Sequence, residues 1–243
     1  MLNLLLTRHG MTTAGPKAIL GGRLDVGLTD EGRAQAGALA SRLAGVRIDR
    51  VISSPMIRAL ETARVIAAGR TVEIDERLRE LDYGAWEGLD GDQVDEHDPE
   101  LRGEWERDPA NTRPPGGESG VEGAIRVRAF LTDLLAAEVP PPIVPGKGWR
   151  SPDPGGSRPE VSAAATEEAG ERRVLVVAHG SLNRILLCVA LGVPIADFRR
   201  RFLQDRVNLT VLRFESGDTP DGAQMVLSND VSHLRHTGQA PWG

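Results

Sequence analysis

A short apolar run at the start of the chain, Leu2-Asn3-Leu4-Leu5-Leu6, stops abruptly at Thr7-Arg8-His9-Gly10. The run is far too short to span a membrane and is bounded by a glycine, so a fully buried strand is the economical reading. A cation, an imidazole and a glycine then sit together at the strand's C-terminal end, the edge at which open α/β sheets hold their ligands. The same device recurs near the other end of the chain, as Val174-Leu175-Val176-Val177-Ala178-His179-Gly180. Packing alone gives no reason for two buried strands each to deliver a His-Gly pair to one sheet edge.

The chain has 243 residues, enough to bury a sizeable core, and one α/β domain over 1–243 with insertions accounts for it. Its net charge of −6 argues against a dedicated nucleic-acid binder, which carries a basic excess. The single cysteine, Cys188, excludes an internal disulfide framework and suits a reducing compartment. No cationic segment leads into a long apolar one near Met1, and no window reaches membrane-spanning length. The expectation is a soluble cytoplasmic protein without nucleic-acid or membrane partners, its oligomeric state open and a homodimer allowed.

Met11 to Val26 has no period and reads as a loop, with Gly21-Gly22-Arg23 offering either an anion contact or a solvated arginine. Thr29 is a candidate N-cap for a helix whose apolar positions are Ala36, Leu39, Ala40 and Leu43. Arg50 to Ser54 reads as a strand, and Pro55 fits the first position of a helix from Met56 to Ala68. Arg58 falls in that helix's first turn. It either pairs with Glu61 on a wet face or points to the preceding strand end, where a cation hints at a bound anion. A strand from Thr71 to Asp75 leads to Glu80, which alone reads as a surface carboxylate, and Trp86 reads as a core anchor.

Ten acidic residues against two arginines between Glu87 and Asp108 predict a helical excursion, at about 87–117, with a solvated acidic face and an exposed His97. Ser119 and Glu122 have capping-box spacing at the head of a helix carrying Phe130, Leu131, Leu134 and Leu135. Residues 139–170 hold seven of the chain's 16 prolines without an apolar period, which predicts a flexible insertion. Ser181 is a candidate cap for a helix from Leu182 to Leu191 that buries Cys188 as a small core residue. Arg199 to Arg201 reads as a solvated helix face, and Arg206–Glu215 and Ala223–Leu227 as strands. His233 and His236 have zinc-like spacing but no evident further ligands, so no metal is expected.

Several of these motifs occur in the order of one known family. Arg8-His9-Gly10, Gly22-Arg23-Leu24-Asp25, Ser53-Ser54-Pro55-Met56-Ile57-Arg58 with Thr62-Ala63, and Leu78-Arg79-Glu80 with Gly84-Ala85-Trp86-Glu87-Gly88 resemble the histidine phosphatase, or phosphoglycerate-mutase-like, superfamily. Pro115-Gly116-Gly117-Glu118-Ser119, Val177-Ala178-His179-Gly180 and Asn229-Asp230-Val231-Ser232-His233 continue the match, which covers the chain except its proline-rich stretch.

The resemblance implies an α/β fold, a three-layer α/β/α sandwich with a mostly parallel central sheet. It further implies a metal-independent phosphomonoester hydrolase without cofactors, acting through a phosphohistidine on His9. Arg8, Arg58 and His179 would surround the phosphoryl oxygens, with Glu80 as general acid and base. Thr12, Arg23, Gly180 and Ser181 are carried over as phosphate or substrate contacts, the glycines after each histidine letting the backbone approach the anion. Two guanidinium groups beside His9 should lower its pKa and keep it nucleophilic. In the family, Glu and Asn often stand where this chain has Met11 and Gly15, so one phosphate contact is expected to be absent. Leu81-Asp82-Tyr83-Gly84 follows the candidate acid where the mutases have Arg-His-Tyr-Gly, which resembles the phosphatase branch. The alternatives are a phosphoglycerate-type mutase and a non-catalytic phospho-ligand binder.

Overall fold

The computed structural model describes residues 1–13, 22–138 and 170–237. The flexible stretch expected over 139–170 therefore falls outside it up to residue 169, as does Gly15. Among the described residues six strands form one sheet: β1 (Leu2–Arg8), β2 (Arg50–Ser53), β3 (Val72–Ile74), β4 (Arg172–Ala178), β5 (Leu209–Phe214) and β6 (Gln224–Asp230). Their order is β3-β2-β4-β1-β5-β6. The first four run parallel, β5 is antiparallel to β1, and β6 is antiparallel to β5.

The alternation of side chains along a strand sends the apolar runs to two faces at once. Leu4 and Leu6 of β1 and Val174 and Val176 of β4 join one core, with Val127, Phe130 and Leu131 of α5 (Gly120–Glu138) and Ile185 and Leu186 of α6 (Gly180–Ala190). Leu5, Leu175 and Val177 face the other, against Ala36 and Leu39 of α1 (Asp30–Arg42) and Ala59, Ala63 and Ile66 of α2 (Ile57–Ala67). Each of the Val, Leu, Ile and Phe side chains among these contributes about 1.5–3 kcal/mol on burial. The result is the three-layer arrangement. None of the described helices is long and apolar enough to cross a membrane.

Local signals behave unevenly. Thr29 caps α1 through a 3.0 Å bond from the Gly32 amide, and Ser119 and Glu122 exchange the reciprocal bonds of a capping box. Pro55 does not open α2. The helix starts at Ile57 with Met56 as cap, and the Ile57 amide is satisfied by Asp25 at 2.8 Å. Ser181 does not cap α6, which begins earlier, with His179 at the cap position. The acidic stretch forms α3 (Gly91–His97) and α4 (Pro99–Arg107). His97 is exposed, and Trp86 is buried with its indole N–H on Asp98 at 2.8 Å. The arginine triplet is not wholly solvated. Arg199 stacks over Trp105, 4.2 Å from the ring centre, and bonds Glu106. Cys188 is fully buried, and burial pushes its thiol up to about 12. His233 is engaged by the Val207 carbonyl and Arg42.

Candidate active site

Because β1 and β4 are parallel neighbours in register, Arg8 lies beside Ala178, and the His9 amide donates to the Ala178 carbonyl at 3.0 Å. One residue beyond each strand the two imidazoles meet. Their ring centroids are 5.3 Å apart at an interplanar angle of 59°. One tetrahedral anion can touch both rings across that gap. His9 Nδ1 lies 2.8 Å from the Gly10 carbonyl. A carbonyl only accepts, so the proton sits on Nδ1 and the Nε2 lone pair is left free. His179 Nε2 lies 2.7 Å from Ser54 Oγ, and its Nδ1 is buried with no partner among the described residues. The Ser54 hydroxyl accepts from the Met56 amide at 3.3 Å and can also donate to His179 Nε2, the arrangement that puts the imidazole proton on Nδ1.

Two arginines flank the pair. Arg58 is 3% exposed, so it is not on a wet face, and Glu61 bonds Arg33 and the Leu28 amide instead. Its guanidinium reaches the carbonyls of Leu24 at 2.6 Å and Gly22 at 2.7 Å. Arg8 donates Nη1 to the Gln204 carbonyl at 2.9 Å, while its Nε is buried without a partner among the described residues. Thr62 ties α2 to the loop after His9, accepting from the Gly10 amide at 3.1 Å and donating to the Arg58 carbonyl at 2.7 Å.

Glu80 is buried, not a surface carboxylate. Its Oε1 accepts from the amides of Leu81 and Leu182, both at 3.0 Å, and its Oε2 from the Ser181 amide at 3.1 Å. The carboxylate thus occupies the N-terminus of α6, where the helix dipole favours negative charge, and does the capping expected of Ser181. The Ser181 hydroxyl instead bonds Tyr83 Oη at 2.7 Å.

Burial is the largest influence on both imidazoles. It holds His9 well below its ordinary value, helped by Arg8 and Arg58, and holds His179 down likewise, helped by Arg58. Burial also lowers Arg8 to about 10, with Arg206 next in effect, and lowers Arg58, Arg184 and Arg206. The neutral imidazoles are therefore surrounded by crowded guanidinium groups.

The remaining expected contacts are less central. Arg23 is exposed, its Nε 3.2 Å from Asp82 and its amide on Glu87. Thr12 is buried and pairs with Leu28 in an isolated bridge. The glycines serve the protein before any anion. A Cβ on Gly10 would lie 2.6 Å from the Gly32 carbonyl oxygen in α1, and one on Gly180 would lie 3.3 Å from Arg8 Cζ. Each lets another part of the chain approach, not only a ligand.

The family model described as histidine phosphatase superfamily (branch 1) matches residues 4–143 and 158–229. The chain belongs to the histidine phosphatase superfamily. It is 34% identical over 197 residues to a glucosyl-3-phosphoglycerate phosphatase of Mycobacterium tuberculosis, covering 80% of this chain and 78% of that one. It is 30% identical over 239 residues to an Enterobacter protein whose name calls it a phosphoglycerate mutase, GpmB, covering 96% and 95%. Among solved structures, the native mycobacterial glucosyl-3-phosphoglycerate phosphatase superposes with a TM-score of 0.75 at 30% identity, over 93% of this chain and 98% of that one. Phosphatase chemistry fits this histidine phosphatase.

Two site groups, Arg206 and Arg184, lie outside the motifs quoted for the family, and Ser54 lies within one of them without its contact to His179 being read from it. Arg206 reaches the Gly10 carbonyl at 3.3 Å and adds its charge at His9, Arg8 and Arg58. Ser54 meets His179 Nε2 at 2.7 Å, and Arg184 stands near Glu80 and Tyr83. For the last a sequence signal existed, since Ser181 and Arg184 are three apart and share one helix face. Arg206 sits just before Val207, whose φ of 51° is left-handed, and no periodicity marks such a position.

Proposed function

We propose that the protein hydrolyses phosphomonoesters through a phosphohistidine on His9. The observation that carries this reading is the His9 tautomer: Nδ1 is committed to Gly10, and Nε2 is left free beside a second imidazole whose ring centre is 5.3 Å from its own. His9 Nε2 donates its lone pair to phosphorus, and the P–O bond to the alcohol breaks. Glu80, a carboxylate at rest, takes up a proton on Oε2, the oxygen with one amide contact, as the substrate binds, and passes that proton to the departing oxygen. A water then gives its proton back to Glu80 and attacks phosphorus. The P–N bond breaks, and inorganic phosphate leaves with His9 neutral again. Arg8 Nε and His179 Nδ1, both buried without partners among the described residues, donate to the non-bridging oxygens together with Arg58. Thr12 and Arg23 are assigned to the rim of the pocket, and the substrate is a small phosphorylated molecule. A single buried cysteine supports a reducing, cytoplasmic setting.

The test follows phosphate release from p-nitrophenyl phosphate beside isomerisation of 3-phosphoglycerate. Release is expected, and His9→Ala should reduce it by about three orders of magnitude or more while circular dichroism stays unchanged. Acid-quenched wild-type protein should carry no phosphate that survives acid, whereas alkali-quenched protein should carry alkali-stable, acid-labile phosphate on His9. Isomerisation without release would make the protein a mutase, and tight phosphate binding without turnover would make it a binding protein.

A further inference from the structure

One cation near the pocket has no acceptor among the described residues. Arg184 lies one turn into α6, three residues after Ser181 and four after Gly180, and so shares their helix face. That face is the one turned to the site: the Ser181 amide holds Glu80, its hydroxyl holds Tyr83, and Gly180 lies under Arg8. The other site arginines are anchored, Arg8 on Gln204, Arg58 on Leu24 and Gly22, and Arg206 on Gly10. Arg184 makes no hydrogen bond or ion pair with any described residue, and its Nε is buried with no partner. Native proteins seldom leave a buried donor unmatched, and at a ligand site the missing acceptor belongs to the ligand.

If the protein is the hydrolase proposed above, on which this inference depends, in-line displacement sends the alcohol away from His9, toward Glu80. Ser181, one helix turn before Arg184, holds Glu80 through its amide and Tyr83 through its hydroxyl, so Arg184 stands on the leaving-group side of the phosphorus. The phosphoryl group is already met by Arg8, His179 and Arg58, and Arg184 is surplus to it. We propose that Arg184 binds a carboxylate on the leaving alcohol, so that the substrate is a phosphorylated hydroxy acid. The orphaned Nε is one prong of the side-on guanidinium fork, whose spacing matches the two oxygens of a carboxylate. A second phosphate there would bring a dianion against Glu80.

The test compares two esters of one skeleton, 3-phosphoglycerate and glycerol 3-phosphate, which differ in carrying a carboxylate or a hydroxymethyl group. Phosphate release by wild type should favour the carboxylate ester at least tenfold in kcat/KM. Arg184→Gln should bring the ratio close to one, chiefly by raising KM for the carboxylate ester, and Arg184→Lys should restore part of it. A wild-type ratio at or below one, or a ratio that Arg184→Gln leaves unchanged, overturns the assignment even if the variant's rates fall. Failure of wild type to release phosphate from p-nitrophenyl phosphate would instead sink the hydrolase reading, and this one with it.

Discussion

Two imidazoles that stay neutral where a free histidine is half charged govern how this site responds to pH. An unfolded chain protonates histidine near 6.5, whereas burial keeps His9 and His179 unprotonated well below that value. Between the depressed native value and 6.5 the unfolded state binds more protons, so stability rises with pH and is lost as pH falls through that window. The slope is at most about 1.4 kcal/mol per pH unit for each histidine. Histidine-labelled NMR should show His9 as its Nδ1–H tautomer, with neither ring titrating around 6.5. Urea unfolding at pH 7 and 5.5 should show wild type losing more stability than His179→Asn, by up to about 1.2 kcal/mol over that interval. A His179 ring that titrates at 6.5, or equal losses, would contradict control by burial. At this scale the sequence was candid where the chemistry is local. Arg8 and His9 are adjacent, so their shared position at a strand end could be read directly, whereas the place of Arg58 one helix turn after a strand left a wet face and the strand end both open, and only the family motif favoured the second. Arg184 and Arg206 carry no such plain mark, because what makes them interesting is which residues they approach in space.

At the scale of elements, Glu80 and α6 form one unit although 101 residues separate Glu80 from Ser181. Ser181 looked like a local cap because hydroxyl residues at helix starts normally are, but a carboxylate arriving from elsewhere in the chain offers both charge and two acceptor oxygens to the same amides. No pattern within α6 encodes that arrival, which is why the helix itself was legible and its cap was not. The arrangement gives Glu80 two jobs that one substitution should expose together. Glu80→Gln keeps one acceptor oxygen and loses the charge, so α6 should lose about 1 kcal/mol of capping, read as a lower urea midpoint. It should also lower hydrolysis of alkyl phosphates by about 10²-fold or more, with a smaller loss for p-nitrophenyl phosphate, whose leaving group needs no proton. Equal losses on both esters would remove the acid role and leave the cap, whereas an unchanged midpoint would remove the cap.

Across the whole molecule, the site exists because β4, the fourth strand in sequence, is inserted between the first two in space. The apolar runs announced strands, and their His-Gly endings announced a shared edge, but neither says which strand lies beside which. That order is set by the long-range packing of α1 and α2 on one face and α5 and α6 on the other. Its consequence is mechanical. β2 with β3, and β1 with β5 and β6, are two halves that pair only through β4, so neither half's inner edge is satisfied until residues 172–178 arrive. Val176 marks the junction, because it lies opposite Leu6 on one side and Ile52 on the other and is wholly buried. Val176→Ala should therefore open a small cavity costing on the order of 2 kcal/mol. Because the junction serves both halves, native-state hydrogen exchange should show the slowest amides of β1, β2 and β4 losing protection by the same amount, as one cooperative unit. The edge strands β3 and β6 should exchange through smaller openings that the substitution barely changes. If β2 were to lose protection while β1 kept it, the sheet would consist of two independently stable halves, and the meeting of His9 with His179 would not be guarded by global stability.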